Sequence, residues 1–250
     1  MQIQKREKEQ LMNKHEQNIL KHIHNIYSHN TYDVFADFVQ MSAMAIKSSI
    51  DLCTGKIQAE EEFQKLFNRY QPKEQQILSD MFGELVDALE EHFLKNEICD
   101  TLGAIFGELS INNKNTGQFF TPASVAELCG TATFDSRIAK KQIEEKGYIL
   151  VNEPSCGGGV MLMAFIQAMM RAGFNPQKHL LVVAQDIDRR CVCMTYLQLS
   201  LYGIPGKVIH GNTLTLEEYE KPWVTPIYAV DLWALKERRA KEECCQKKNA

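Results

Sequence analysis

The sequence predicts an α/β protein in which helices come first and a parallel sheet follows, and three observations predict it. Residues 5–94 carry apolar positions at helical spacing and no run with strand character. Beyond residue 148, short apolar runs alternate with helix-forming stretches, the pattern of strand–helix–strand units. The first of those runs ends in Glu153-Pro154-Ser155-Cys156-Gly157-Gly158-Gly159, an acidic residue and a glycine turn set directly before an apolar helix. Together these features describe a helical N-terminal domain over residues 1–112, a Rossmann-like core over 113–234 and a charged helical tail over 235–250.

Within the N-terminal part, Ile19, Leu20, Ile23, Ile26 and Tyr27 make residues 5–30 an amphipathic helix. Residues 32–52 read as a mostly buried helix ended near Gly55, and residues 59–70 as another, stopped by Pro72. Residues 73–94 place Ile77, Leu78, Met81, Phe82, Leu85, Val86 and Leu89 on one helix face, and residues 100–109 form a last helix before the core. His22 and His24 diverge on a helix, so they are not expected to share a metal. Lys5, Arg6, Lys8, Lys14 and Lys21 are interrupted by Glu7, Glu9 and Glu16, which makes a solvated face the simpler reading than a phosphate track.

In the core, a strand over residues 148–152 runs into the glycine turn, and a helix over 160–170 leaves it. Glycines let the backbone turn sharply and approach a ligand, and the helix behind them points free N–H groups into the turn. A dinucleotide fold requires G-x-G-x-x-G; Gly157 and Gly159 fit, but Leu162 holds the third position. A phosphate loop requires a Lys-Ser or Lys-Thr that does not follow here. An acidic Glu153 before the turn would repel a pyrophosphate but suits a cationic ligand, which favours S-adenosylmethionine. A second strand over 179–185 closes on Asp186-Ile187-Asp188, where a carboxylate can hold a ribose diol and Ile187 can lie on an adenine face. A helix over 189–202 is ended by Gly203-Ile204-Pro205-Gly206; a third strand over 207–210 leads to Gly211-Asn212-Thr213-Leu214, with Asn212 placed to read the adenine edge.

These segments resemble the adenine-N6 DNA methyltransferases, and most of all the modification subunits of type I restriction-modification systems. Gly117-Gln118-Phe119-Phe120-Thr121-Pro122 resembles that family's G-Q-[FY]-[FY]-T-P element, Glu153 to Gly159 its D-P-x-C-G-S-G loop, Ala184-Gln185-Asp186-Ile187 its G-Q-E-I motif and Gly211-Asn212-Thr213-Leu214 its G-D-T-L motif. The resemblance implies an S-adenosylmethionine-dependent methyltransferase core, with cofactor-binding residues at Phe119, Thr121, Glu153, Pro154, Ser155, Cys156, Gly157, Gly159, Asp186, Ile187 and Asn212. It implies methyl transfer to adenine in DNA, a DNA partner reached directly or through another subunit, and a specificity subunit or a second copy as companion.

The family's catalytic [NDS]-P-P-[FYW] motif binds a flipped adenine, and this chain contains no Pro-Pro. The nearest run, Thr225-Pro226-Ile227-Tyr228, makes Thr225, Pro226 and Tyr228 the candidates for that role. Residues after Leu214 do not supply the remaining strands of a seven-stranded sheet, so the core is expected to be truncated. A non-catalytic accessory or regulatory protein that binds DNA or a restriction-modification partner is the alternative reading.

Bulk properties narrow the classes further. The 250 residues carry a formal charge of −4, so no global positive field draws nucleic acid. No apolar run reaches membrane-span length and the N-terminus has no apolar signal core, so a cytoplasmic protein with reduced cysteines is expected. The cysteines lack zinc-site spacing, and no metal is expected from them. Trp223 and Trp233, which flank the candidate catalytic run, are expected to be buried.

Overall fold

A computed structural model describes residues 12–53, 60–111 and 121–248 of the chain. Five helices come first: α1 (Lys14–His24), α2 (Thr31–Cys53), α3 (Glu60–Phe67), α4 (Pro72–Leu94) and α5 (Thr101–Ile111). Asn13 starts α1 with a reciprocal capping box, its side chain accepting from Glu16 N while Glu16 accepts from Asn13 N. Pro72 sits at the first position of α4, where its missing N–H costs nothing, rather than merely ending the helix before it. The apolar stripe of α4 buries Leu78, Met81, Leu85 and Leu89, and α1 packs against it through Ile19 and Ile23.

Two helices then appear that the sequence did not announce, α6 (Ala123–Thr133) and α7 (Ser136–Lys146). Asp135 caps α7 by accepting from Arg137 N and Ile138 N. Strands β1 (Ile149–Glu153), β2 (Leu180–Asp186) and β3 (Gly206–Asn212) lie side by side and parallel. They are joined by α8 (Val160–Arg171), a single turn α9 (Pro176–His179) and α10 (Arg189–Leu201). Helix α6 lies so close to α8 that a Cβ on Gly130 would stand 2.7 Å from the Ala164 carbonyl carbon, so only glycine fits.

The sheet is completed by two short strands on the free side of β3: β4 (Glu217–Glu218) and β5 (Trp223–Val224), both antiparallel. A parallel fourth strand does not form after Leu214. Pro222 precedes β5, and only two residues then enter the ladder, as expected where proline removes a donor. Helices α11 (Pro226–Val230) and α12 (Trp233–Lys248) end the described chain.

Pleat alternation divides β2 between two faces. Leu180, Val182 and Ala184 join a core that also takes in Ile19, Phe38, Leu85, Ile105, Ile166 and Leu197, so the helical segment and the sheet share one continuous interior. Leu181 faces the other way into a smaller cluster with Tyr148, Tyr228 and Trp233. The charged tail is therefore docked rather than free. Trp233 is fully buried, and Glu237 accepts from Lys207 Nζ and from the Tyr228 hydroxyl. No helix among the described residues is long and apolar enough to cross a membrane.

Candidate functional site

The carboxyl ends of β1 and β2 lie beside each other, with Glu153 paired to Ala184 across the ladder and Asp186 two residues further on. The chain leaving β1 turns through Gly157 (φ 53°) and Gly159 (φ 102°), left-handed conformations that a side chain would strain. Gly159 is the N-cap of α8, so the first amides of that helix open toward the turn. Asp186 closes on the turn directly. Its Oδ2 accepts from Gly157 N at 2.8 Å and its Oδ1 from Asp188 N at 2.9 Å. The main chain adds Cys156 N to Gln185 O at 2.9 Å. On the far side, the Thr213 hydroxyl donates to the Pro154 carbonyl, which ties the loop after β3 to the loop after β1.

The turn is held from beneath by side chains that sequence reasoning passed over. Thr195 of α10 donates to Gly157 O at 3.0 Å. Gln198, one helical turn later, donates to Gly158 O at 2.8 Å and to Asp100 Oδ1 at 2.8 Å, and its Oε1 accepts from Leu102 N at 3.3 Å. Asp100 also accepts from Gly103 N at the start of α5. Burial pushes the Asp100 carboxyl up to about 6, against the lowering influence of Gln198 and Gly103. The signal was present in the sequence: Thr195 and Gln198 are polar residues three apart inside an otherwise apolar stretch of helix.

The structure brings most of the predicted cofactor residues to one edge of the sheet. Glu153, Pro154, Ser155, Cys156, Gly157 and Gly159 form the turn, Asp186 and Ile187 lie across from it, and Asn212 ends β3 alongside. Ile187 is 60% exposed. Asn212 Oδ1 accepts from Leu214 N at 2.9 Å and from Thr215 N at 3.4 Å. Cys156 is buried, and burial raises its thiol to about 12, so the side chain is held as a neutral thiol inside the turn. Thr121 is exposed just ahead of α6. Phe119 lies outside the described residues.

Thr225, Pro226 and Tyr228 require a correction. Strand β5 runs antiparallel to β3, pairing Trp223 with Val208 and Val224 with Lys207, so the chain leaving it arrives at the amino edge. There Thr225 is fully buried, its hydroxyl accepting from Gly206 N at 3.0 Å and donating to Ile204 O at 2.8 Å. Pro226 opens α11, and the Tyr228 ring packs on Leu181 and Trp233 while its hydroxyl donates to Glu237 at 2.7 Å. These residues stand at the end of the sheet opposite Asp186, and their polar atoms are used in holding the fold. A cleft lined by Ile98, Met170, Phe174, Gln177 and Tyr202 also lies at that amino edge, away from the glycine turn.

Residues 100–242 match the family model described as N-6 DNA Methylase, more than half of the chain. The chain belongs to the N-6 DNA methylase family. The match begins at Asp100, the half-buried partner of Gln198, and takes in the whole glycine turn and β1 to β3. Among solved structures, the chain is similar to one from Listeria monocytogenes described as a class I S-adenosylmethionine-dependent methyltransferase. That one is 14% identical with a TM-score of 0.40, the match covering 81% of this chain and 55% of the other. It is also similar to the methyltransferase subunit of a type I restriction-modification system from Streptococcus thermophilus, at 20% identity and a TM-score of 0.38, covering 72% of this chain and 41% of that one. The chain thus spans about half the length of these structures or less. No curated protein matches the sequence.

Proposed function

We propose that this member of the N-6 DNA methylase family binds S-adenosylmethionine at the carboxyl edge of β1 and β2 and serves methyl transfer to the N6 amine of adenine in DNA. The observation that carries the reading is the closure of Asp186 on the Gly157 amide, which sets a carboxylate and a glycine turn against each other at the start of α8. A carboxylate oxygen accepts more than one hydrogen bond, so Asp186 retains capacity for a ribose diol while its backbone partners fix its orientation. Glu153 supplies negative charge beside the turn for the sulfonium and ammonium groups, and Ile187 offers an apolar surface for adenine. Thr195 and Gln198 hold the turn's carbonyls away from the ligand side.

The residues that receive adenine are a separate matter. Thr225 and Tyr228 use their polar atoms in the fold at the opposite edge, and Pro226 opens α11 there. Methyl transfer then draws its base-binding groups from outside the described residues or from a companion such as a specificity subunit or a second copy. The buried Thr225 favours one second reading, an accessory chain that binds cofactor and a DNA-bound or restriction-modification partner without itself transferring methyl groups.

Calorimetric titration with S-adenosylmethionine tests the first step. Wild type is expected to bind, and Asp186→Ala to bind roughly 10- to 100-fold more weakly, the worth of one or two charge-assisted hydrogen bonds. No binding by wild type would overturn the cofactor reading. Labelled-methyl transfer to unmethylated DNA, by the chain alone and with a type I specificity subunit, then separates enzyme from accessory. Tight cofactor binding without incorporation in either arm selects the accessory reading.

A further inference from the structure

The C-terminus of α4 and the five residues after it hold a cluster that plays no part in the glycine turn. Helix α4 ends in a Schellman motif: Glu97 N donates to His92 O at 2.9 Å and Asn96 N to Phe93 O at 2.9 Å, with Asn96 left-handed at φ 60°. This reversal folds the chain back over the last turn of the helix and brings Glu97 and Cys99 against His92. One ligand atom from each of the three, imidazole nitrogen, thiol sulfur and carboxylate oxygen, lies within 4.8 Å of the others.

His92 is only 8% exposed, and its Nδ1 is buried with no hydrogen-bond partner. Glu97 Oε2 approaches that nitrogen at 3.7 Å, too far for a hydrogen bond. Its other nitrogen, Nε2, is 3.1 Å from Oε1 of Glu16, itself buried, and Glu16 also accepts from Asn13 N. An ionised carboxylate can only accept, so Nε2 donates to Glu16, and Nδ1 is the nitrogen left to face Glu97 and Cys99. Asn13 Nδ2 donates to Ala88 O at 3.1 Å and also lies 3.2 Å from Nε2, but as a donor it cannot take the Nε2 proton, which Glu16 accepts. A histidine aimed by a carboxylate behind it, with the other nitrogen bare, is the arrangement found behind metal-bound imidazoles.

We propose that His92, Glu97 and Cys99 form a divalent-cation site of zinc type, with Glu16 as the positioning residue behind His92. The donor set of nitrogen, sulfur and oxygen suits zinc, and three protein ligands leave a fourth tetrahedral position for water. Bond lengths of about 2.0–2.3 Å place tetrahedral donors roughly 3–4 Å apart, so the cluster closes with about an ångström of movement. The mobile member is Glu97, whose side chain is 52% exposed. The backbone between is already braced: Gln167 of α8 accepts from Ile98 N and donates to Asn96 O, and the Tyr202 hydroxyl accepts from Cys99 N. A bound ion fastens α4 to the segment that leads into Asp100, which clamps the helical part of the chain to the core. A second cluster, His15, Glu84 and Asp87, lacks this property, because His15 Nδ1 is already bonded to Glu84 Oε2 at 2.6 Å.

The test uses the full chain, stripped with chelator and titrated with cobalt and with zinc against a chromophoric chelator. One equivalent of cobalt is expected, with a thiolate-to-cobalt charge-transfer band that disappears in Cys99→Ser. Glu16→Gln is expected to weaken zinc roughly 10- to 100-fold while the thiolate band remains, as an outer-shell partner does. Zinc is expected to raise the Tm of wild type and leave that of Cys99→Ser unchanged. Absence of stoichiometric binding, a band and affinity that survive Cys99→Ser, or binding lost in Glu84→Gln instead would each overturn the proposal.

Discussion

Thr225 shows how a side chain's surroundings decide its role. Its hydroxyl makes both of its bonds to main-chain groups, Gly206 N and Ile204 O, in a fully buried position. Thr225→Val keeps the shape and orphans both groups, so a loss of about 2–4 kcal/mol in urea unfolding is expected. Affinity for S-adenosylmethionine should stay within about twofold of wild type, because the site lies at the other edge; an intact stability with abolished methyl transfer would return a catalytic role to this residue. Gly159 presents the opposite case. At φ 102° an added Cβ is strained and would also stand 3.1 Å from Thr195 Oγ1, so Gly159→Ala should cost about 1–2 kcal/mol and weaken cofactor binding in calorimetry. The three glycines were legible as a turn because few other functions require them in a row. Thr225 was misleading because nothing local says which edge of the sheet a two-residue strand will face.

Among elements, α10 joins the sheet, α2, α5 and the glycine turn. Gln198→Leu leaves the Gly158 carbonyl, the Leu102 amide and Asp100 without their partner. Unfolding by denaturant should show a loss of roughly 2–4 kcal/mol, with weaker cofactor binding as the turn loosens. Asp100 makes this contact pH-dependent. Its folded carboxyl holds a proton up to about 6 against an ordinary value of 3.8, so between those values the folded state binds more protons than the unfolded one. Stability from this group is therefore fully present below about pH 4 and is lost as pH rises through 6. Asp100→Asn, which mimics the protonated form, should match wild type near pH 4 and exceed it at pH 8 by on the order of 1–2 kcal/mol in thermal or urea unfolding. Helices α6 and α7 were not legible for a physical reason. Helix α7 carries one buried residue, Ala139, and α6 is interrupted by Gly130, so neither displays a strong apolar stripe.

Across the whole molecule, one interior runs from α1 to the sheet, and a second, smaller cluster seals the opposite face through Trp233. Trp233 stacks edge-on against Tyr148 with centroids 5.5 Å apart, and Lys236 lies 4.2 Å over its ring. Trp233→Ala should cost about 3–5 kcal/mol and release α12, seen as fast amide exchange over residues 226–248. The sequence by itself determined the order of helices and parallel strands, because burial periodicity of 3.6 or 2 is written residue by residue. It also determined that Asp186 would meet the glycine turn, because a glycine turn and a carboxylate at the end of the next strand are local signals that a parallel ladder must bring together. Only the tertiary structure decided that β5 runs antiparallel and carries Thr225 to the amino edge. It alone placed Gln198 between Asp100 and Gly158, and closed Glu97 and Cys99 over His92. Those are contacts between distant or back-folded segments, and a sequence fixes their partners only through the packing of everything between them.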